Sequence, residues 1–217
     1  MSIKKMIYKF IKLFIPSTIL ADYFHRVGSA REISEWEGNG SPIPPPNSVK
    51  QRIVTEYGKK YNANILVETG TYLGSMIYAQ KKKFKEIHTI ELSQDYYKKA
   101  QELFKEYKHI YPHQGDSAEV LKDIMKNLKG RAIFWLDAHY SVPVFARGKS
   151  DCPIFSELDW IFTNNADKHI ILIDDAREFN GIGDYPSHQQ VFDYFKTKAP
   201  DYSISIETDI FRCTPKS

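Results

Sequence analysis

The stretch Ile65-Leu66-Val67-Glu68-Thr69-Gly70-Thr71-Tyr72-Leu73-Gly74-Ser75 decides how the chain is read. An apolar run ends on an acid, a turn with two glycines follows, and Met76-Ile77-Tyr78-Ala79 reads as a helix start. A strand, a tight turn and a helix N-terminus in that order place backbone N–H groups beside an anionic part of a ligand. Gly70 and Gly74 would let the backbone bend and approach such a ligand with no Cβ in the way.

Outward from this turn the chain alternates strand and helix. Ile87–Leu92 reads as a second strand, with Ser93 placed to cap a helix that carries Ala100, Leu103, Phe104 and Tyr107 on one face. Ile110–His113 is a third, short strand. It leads through Gly115-Asp116-Ser117 into a helix bearing Val120, Leu121, Ile124 and Leu128, where Asp116 and Glu119 have capping-box spacing. Ala132–Leu136 and His169–Ile173 are the fourth and fifth strands, with an irregular segment and a helix containing Ile154, Leu158 and Ile161 between them. A helix around Val191–Phe195 and two close β-like runs, Tyr202–Glu207 and Ile210–Cys213, complete the pattern. Continuously apolar strands alternating with helices predict an α/β fold, a mostly parallel sheet with helices on both faces. The last two runs lie too close for a crossover helix and predict an antiparallel hairpin.

Composition sets bounds on function. At 217 residues, 42% hydrophobic and 26% charged, the chain fits one globular domain with a short appendage. Residues 1–60 hold ten Lys/Arg against five Asp/Glu, while residues 61–217 hold twenty against twenty-two. The basic excess belongs to the N-terminal segment, so the sequence gives no ground for nucleic-acid binding. Cys152 and Cys213 are too few for a disulfide framework, and no apolar window reaches the ~20 residues that span a bilayer. Lysines at 9 and 12 and Pro16 interrupt the apolar patch that a signal peptide would need, which predicts a cytoplasmic protein.

Residues 1–37 read as an N-terminal amphipathic helical segment, 38–47 as a Pro/Gly-rich connector, and 48–217 as the α/β domain. Ile3, Met6, Ile7, Phe10, Leu13 and Phe14 have helical spacing, with Lys4, Lys5, Lys9 and Lys12 elsewhere. Such a helix over residues 3–15 either packs on its own domain or on a second copy in a homo-oligomer, or lies on an anionic membrane surface as a peripheral contact.

Acids recur where strands end. Glu68, Glu91, Asp116, Asp137 and the pair Asp174-Asp175 all fall at or just past the carboxyl ends of predicted strands, the end where open parallel sheets bind ligands. Glu91 lies 21 positions after Gly70, where an acid takes the two hydroxyls of a ribose. Each acid alone could be a helix cap or a solvated strand end; their shared position argues for a site.

Val67–Gly74, Glu91, Gly115-Asp116-Ser117 and the terminal hairpin together resemble class I S-adenosylmethionine (SAM)-dependent methyltransferases over roughly residues 50–215. More narrowly, Trp135-Leu136-Asp137-Ala138-His139-Tyr140-Ser141 and Leu172-Ile173-Asp174-Asp175-Ala176-Arg177 resemble bacterial polysaccharide-associated methyltransferases, similar to the macrocin-type metal-dependent sugar O-methyltransferases. The resemblance implies a Rossmann-like seven-stranded sheet and a SAM cofactor. Glu68, Gly70, Thr71 and Gly74 would hold the methionine part, Glu91 the ribose, and Asp116 and Ser117 would lie beside the adenine. It implies Mg²⁺ on Asp137, Asp174 and Asp175, since three carboxylates suit a hard octahedral cation. His139 would act as a base on a hydroxyl of a saccharide or other small-molecule acceptor. The segment 138–152, with Arg147, Gly148 and Lys149, would cover the site. Two other classes stand beside this one. An NAD(P)-dependent nucleotide-sugar-modifying enzyme would need a G-x-G-x-x-G that Gly70 and Gly74 do not form. A non-catalytic scaffold would have no use for the acids.

Overall fold

The computed structural model describes residues 17–138, 152–163 and 165–216. The chain divides into two compact units, Met1–Lys50 and Gln51–Ser217. In the first, helix α1 (Ser17–Gly38) ends in a Schellman motif. Ser41 N–H donates to Trp36 O and Gly40 N–H to Glu37 O (3.0 and 3.1 Å), with Gly40 at φ 79°. Trp36 Nε1 then donates to Pro42 O at 2.8 Å, tying down the start of the proline-rich connector. The amphipathic helix expected over residues 3–15 lies outside the described residues.

Helix α2 (Asn47–Lys60) leads into the second unit. There, in chain order, come β1 (Ile65–Thr69), α3 (Ser75–Gln80), β2 (Glu86–Glu91), α4 (Gln94–Phe104), β3 (Ile110–Gln114), α5 (Ser117–Asn127) and β4 (Ala132–Leu136). They are followed by α6 (Ile154–Thr163), β5 (Ile170–Ile173), a 3₁₀ turn (Ala176–Glu178), α7 (His188–Lys198), β6 (Tyr202–Glu207) and β7 (Ile210–Pro215). The strands form one sheet in the order β3-β2-β1-β4-β5-β7-β6. β1 to β5 are parallel, and β7 runs antiparallel to both β5 and β6. The predicted mixed sheet with its terminal hairpin is the one observed.

Near-continuous apolar runs explain the burial. Every residue of β1, β4 and β5 is buried, as strands covered on both faces require. Val67, Phe134, Leu136 and Ile171 share one core with Leu121, Leu158 and Phe195 from α5, α6 and α7. Leu66, Ile133, Trp135 and Leu172 alternate with them and are equally buried on the other face. Chain order turns back between β1 and β4, so the crevice where ligands bind in such sheets opens at the carboxyl ends of these two strands.

Candidate active site

The β1–α3 turn is shaped by close packing as much as by any ligand. Gly70 has φ 86°, and a Cβ there would come within 2.4 Å of the Asp137 backbone oxygen. Gly74 (φ 73°) would meet the Phe104 ring at 3.0 Å. Both glycines are therefore forced by the approach of β4 and α4, which also sets the crevice between β1 and β4. Asp137 N–H reaches back to Thr69 O at 3.1 Å, locking the two strand ends together.

Glu91 closes the neighbouring strand. One carboxylate oxygen accepts from Tyr72 N–H (2.7 Å) and the other from Ser93 N–H (2.8 Å), so the side chain is fixed by the turn before it and the helix start after it. Ser93 holds the expected cap position of α4, yet its side chain makes no cap bond; its N–H serves Glu91 instead. Each Glu91 oxygen keeps a lone pair for a further donor such as a ribose hydroxyl. Glu68 sits one strand away, 2% exposed, accepting from Thr89 Oγ1 at 2.5 Å, and Thr89 in turn pairs with Thr71 Oγ1. Burial pushes the Glu68 carboxyl well above the usual carboxylate range. The Thr89 bond offsets part of this, and the charges of Asp137 and Glu91 push it further up. A cationic ligand group beside it would favour the ionised carboxylate and offset these upward pushes. Thr89 was not singled out from sequence, and the signal was weak: a threonine inside a β-branched strand reads as ordinary.

The ends of β4 and β5 bring Asp137, Asp174 and Asp175 together, with one carboxylate oxygen from each within 4.8 Å of the others. Asp174 is 1% exposed and accepts from Asp175 N–H at 2.8 Å. Asp175 adopts a left-handed conformation (φ 50°), which Asp tolerates better than most residues. Arg177 Nη1 donates to Asp175 at 2.8 Å and also pairs with Asp209, which is 3% exposed in the β6–β7 turn. Asp209 also accepts from Arg177 N–H, and its carbonyl from Ala176 N–H, both at 2.8 Å. The hairpin turn thus clamps the segment that presents the two aspartates. Burial lowers the Arg177 pKa, but hydrogen bonds and attraction from Asp175 and Asp209 outweigh it and the guanidinium is held more firmly protonated than usual. Asp209 was missed in the sequence because its partner is 32 residues away. The oxygen donors fit a hard divalent cation, with Arg177 offsetting part of the charge of Asp175.

Asp116 caps α5, its side chain accepting from Ala118 N–H at 3.0 Å, and Ser117 is buried as the first helical residue. His139 and the basic residues Arg147 and Lys149 lie outside the described residues. An apolar groove between α7 and the edge strand β6, lined by Phe192, Pro200, Tyr202 and Ile204 among others, contains none of the predicted site residues.

No family model matches the chain, and no curated protein sequence does. Solved structures do resemble it. An O-methyltransferase from Bacillus cereus in complex with S-adenosylhomocysteine (SAH) superposes with TM-score 0.59 at 13% identity, covering 98% of this chain and 97% of the other. A Streptomyces achromogenes O-methyltransferase involved in tomaymycin synthesis, in complex with SAM, gives 0.57 at 13% identity, with 97% and 95% covered. An SAH-bound methyltransferase from Podospora anserina gives 0.55 at 14%, with 99% and 95% covered. The chain has the class I methyltransferase fold.

Proposed function

We propose that the protein is a SAM-dependent O-methyltransferase that methylates a hydroxyl of a sugar or related polyol, with a divalent cation such as Mg²⁺ held by Asp137, Asp174 and Asp175. The observation that carries this reading is the meeting of three carboxylates within 4.8 Å beside the same crevice that Glu68 and Glu91 border. Glu91 would take the ribose hydroxyls of SAM, and the buried carboxyl of Glu68 would balance the cationic methionine portion. A bound cation would lower the pKa of an acceptor hydroxyl. The acceptor oxygen forms a bond to the methyl carbon as the carbon–sulfur bond breaks, SAH leaves, and the hydroxyl proton passes to a base, for which His139 is the candidate. Residues 1–37 would be an accessory segment of a cytoplasmic enzyme, serving membrane contact or self-association rather than catalysis. Among the described residues no helix is long and apolar enough to cross a membrane.

Calorimetry with SAM and, separately, NAD(P)H tests the cofactor: binding of SAM alone is expected, and binding of NAD(P)H alone would overturn the reading. Transfer of labelled methyl to a panel of sugars should stop in EDTA and return with Mg²⁺; full turnover in EDTA would remove the cation from the proposal.

A further inference from the structure

All turns that enter β1 to β5 lie at the amino end of the parallel sheet, opposite the acids. Three of them adjoin. Lys85 and Glu86 N–H both donate to Asn64 O (2.8 and 3.3 Å), tying the turn after α3 to the turn before β1. His109 Nε2 donates to Lys81 O at 2.7 Å, drawing in the turn before β3. On these turns Lys82, Lys83, Lys85 and Lys108 are all exposed, as are Lys59 and Lys60 at the end of α2 beside them. The run Gln80-Lys81-Lys82-Lys83-Phe84-Lys85 contains no acid. Two of the nearby carboxylates are engaged, Glu86 with His88 Nε2 at 2.7 Å and Glu102 with Lys105 at 2.5 Å. Partial burial, and then the like charge of Lys59, lower the Lys83 pKa.

We propose that this lysine-rich amino end is a docking surface for an anionic lipid membrane. Crowded like charges do nothing for folding, but meeting a negative surface converts their repulsion into attraction. The acids at the other end do not oppose this. A five-residue strand separates the two ends by roughly 17 Å, about twice the Debye length of about 8 Å at physiological salt. Docking by this face leaves the acidic crevice open to the aqueous side. A membrane fits better than a nucleic acid, which is bound by planar Arg forks and open aromatic platforms. None of the six cations is Arg, and Arg131 at the neighbouring turn before β4 is held by the Asp167 and Tyr61 carbonyls (3.0 and 3.2 Å). Tyr57 and Tyr61 at the patch edge lie under Lys60 Nζ, 5.8 and 5.1 Å from the ring centroids, rather than open to stack a base. The basic, amphipathic sequence of residues 3–15 is of the same chemistry.

The test is co-sedimentation of the full chain with vesicles of phosphatidylcholine alone and of phosphatidylcholine with phosphatidylglycerol, over a range of salt. Binding is expected only to the anionic vesicles and should weaken as salt rises. Replacing Lys82, Lys83 and Lys85 together by Gln should lower partitioning roughly 100-fold, at about fivefold per lysine. If that variant melts early, Lys59→Gln with Lys60→Gln replaces it, with a roughly 25-fold loss expected on the same basis. Unchanged partitioning of the folded variant would assign binding to residues 3–15 and overturn the proposal. So would failure of the wild type to bind anionic vesicles, or tighter binding to duplex DNA or single-stranded RNA at equal salt.

Discussion

The two ends of the parallel sheet carry opposite charge, and they carry it in different ways. At the carboxyl end the acids are drawn in: Glu68 and Asp174 are 2% and 1% exposed, and Glu91 is held by two backbone amides. At the amino end the lysines stand on exposed turns. A buried carboxylate costs stability unless something compensates it, whereas a solvated ammonium costs little. The acidic end is therefore the one where substitution should change both stability and chemistry, and the basic end should change association alone.

The largest effect should come from Asp174→Asn, which keeps the shape and the bond to Asp175 N–H but removes a ligand charge. Methyl transfer from labelled SAM should fall on the order of 10²-fold or more, with SAH affinity nearly unchanged. Activity within a few-fold of wild type would separate the aspartates from the chemistry. Gly70→Ala should come next. The left-handed backbone and the 2.4 Å approach to Asp137 O should cost about 2–4 kcal/mol in urea denaturation; a loss well under 1 kcal/mol would mean that the strand ends are not locked together.

Glu68→Gln tests the burial contrast from the other side. The folded pKa of Glu68 is raised, so its favourable contribution is present below the unfolded pKa and is lost as pH rises through the folded one. At neutral pH the Gln variant, free of that charge, should be more stable by about 1 kcal/mol without ligand, yet bind SAM more weakly. A variant less stable at neutral pH would contradict the sign. The smallest effect belongs to neither end. His113 pairs with His88 at 2.9 Å, and burial, then the His88 charge, lower its pKa from 6.5 to about 4. The unfolded chain takes the proton first, so melting temperature should decline as pH falls from about 6.5 to about 4. His113→Gln should flatten that part of the curve.

Much of this was legible in the sequence where the information is local. The strands at 65–69, 132–136 and 170–173 announce themselves as apolar runs, and the acids at their ends follow by position. What lay beyond reading was whatever depends on distant partners. Gly70 reads as a ligand-binding glycine, but its immediate constraint is the Asp137 backbone 67 positions on. Asp209 reads as a turn residue, and it is the clamp on Arg177. Charge segregation was hidden for a related reason. Lysines before strands and acids after them alternate along the chain, so a count over residues 61–217 shows near neutrality while the fold sorts the signs to opposite ends.

The central claim is that the acidic end binds SAM, and titration calorimetry with SAH tests it most directly. Wild type should bind. Glu91→Ala should weaken binding by about 1.5–3 kcal/mol, the range for hydrogen bonds to a charged group. Glu91→Gln, which keeps an acceptor for Tyr72 N–H, should fall between them. The Lys82, Lys83 and Lys85 variant should match wild type. An absence of SAH binding by the folded wild type, or equal affinity in a folded Glu91→Ala, would contradict the account.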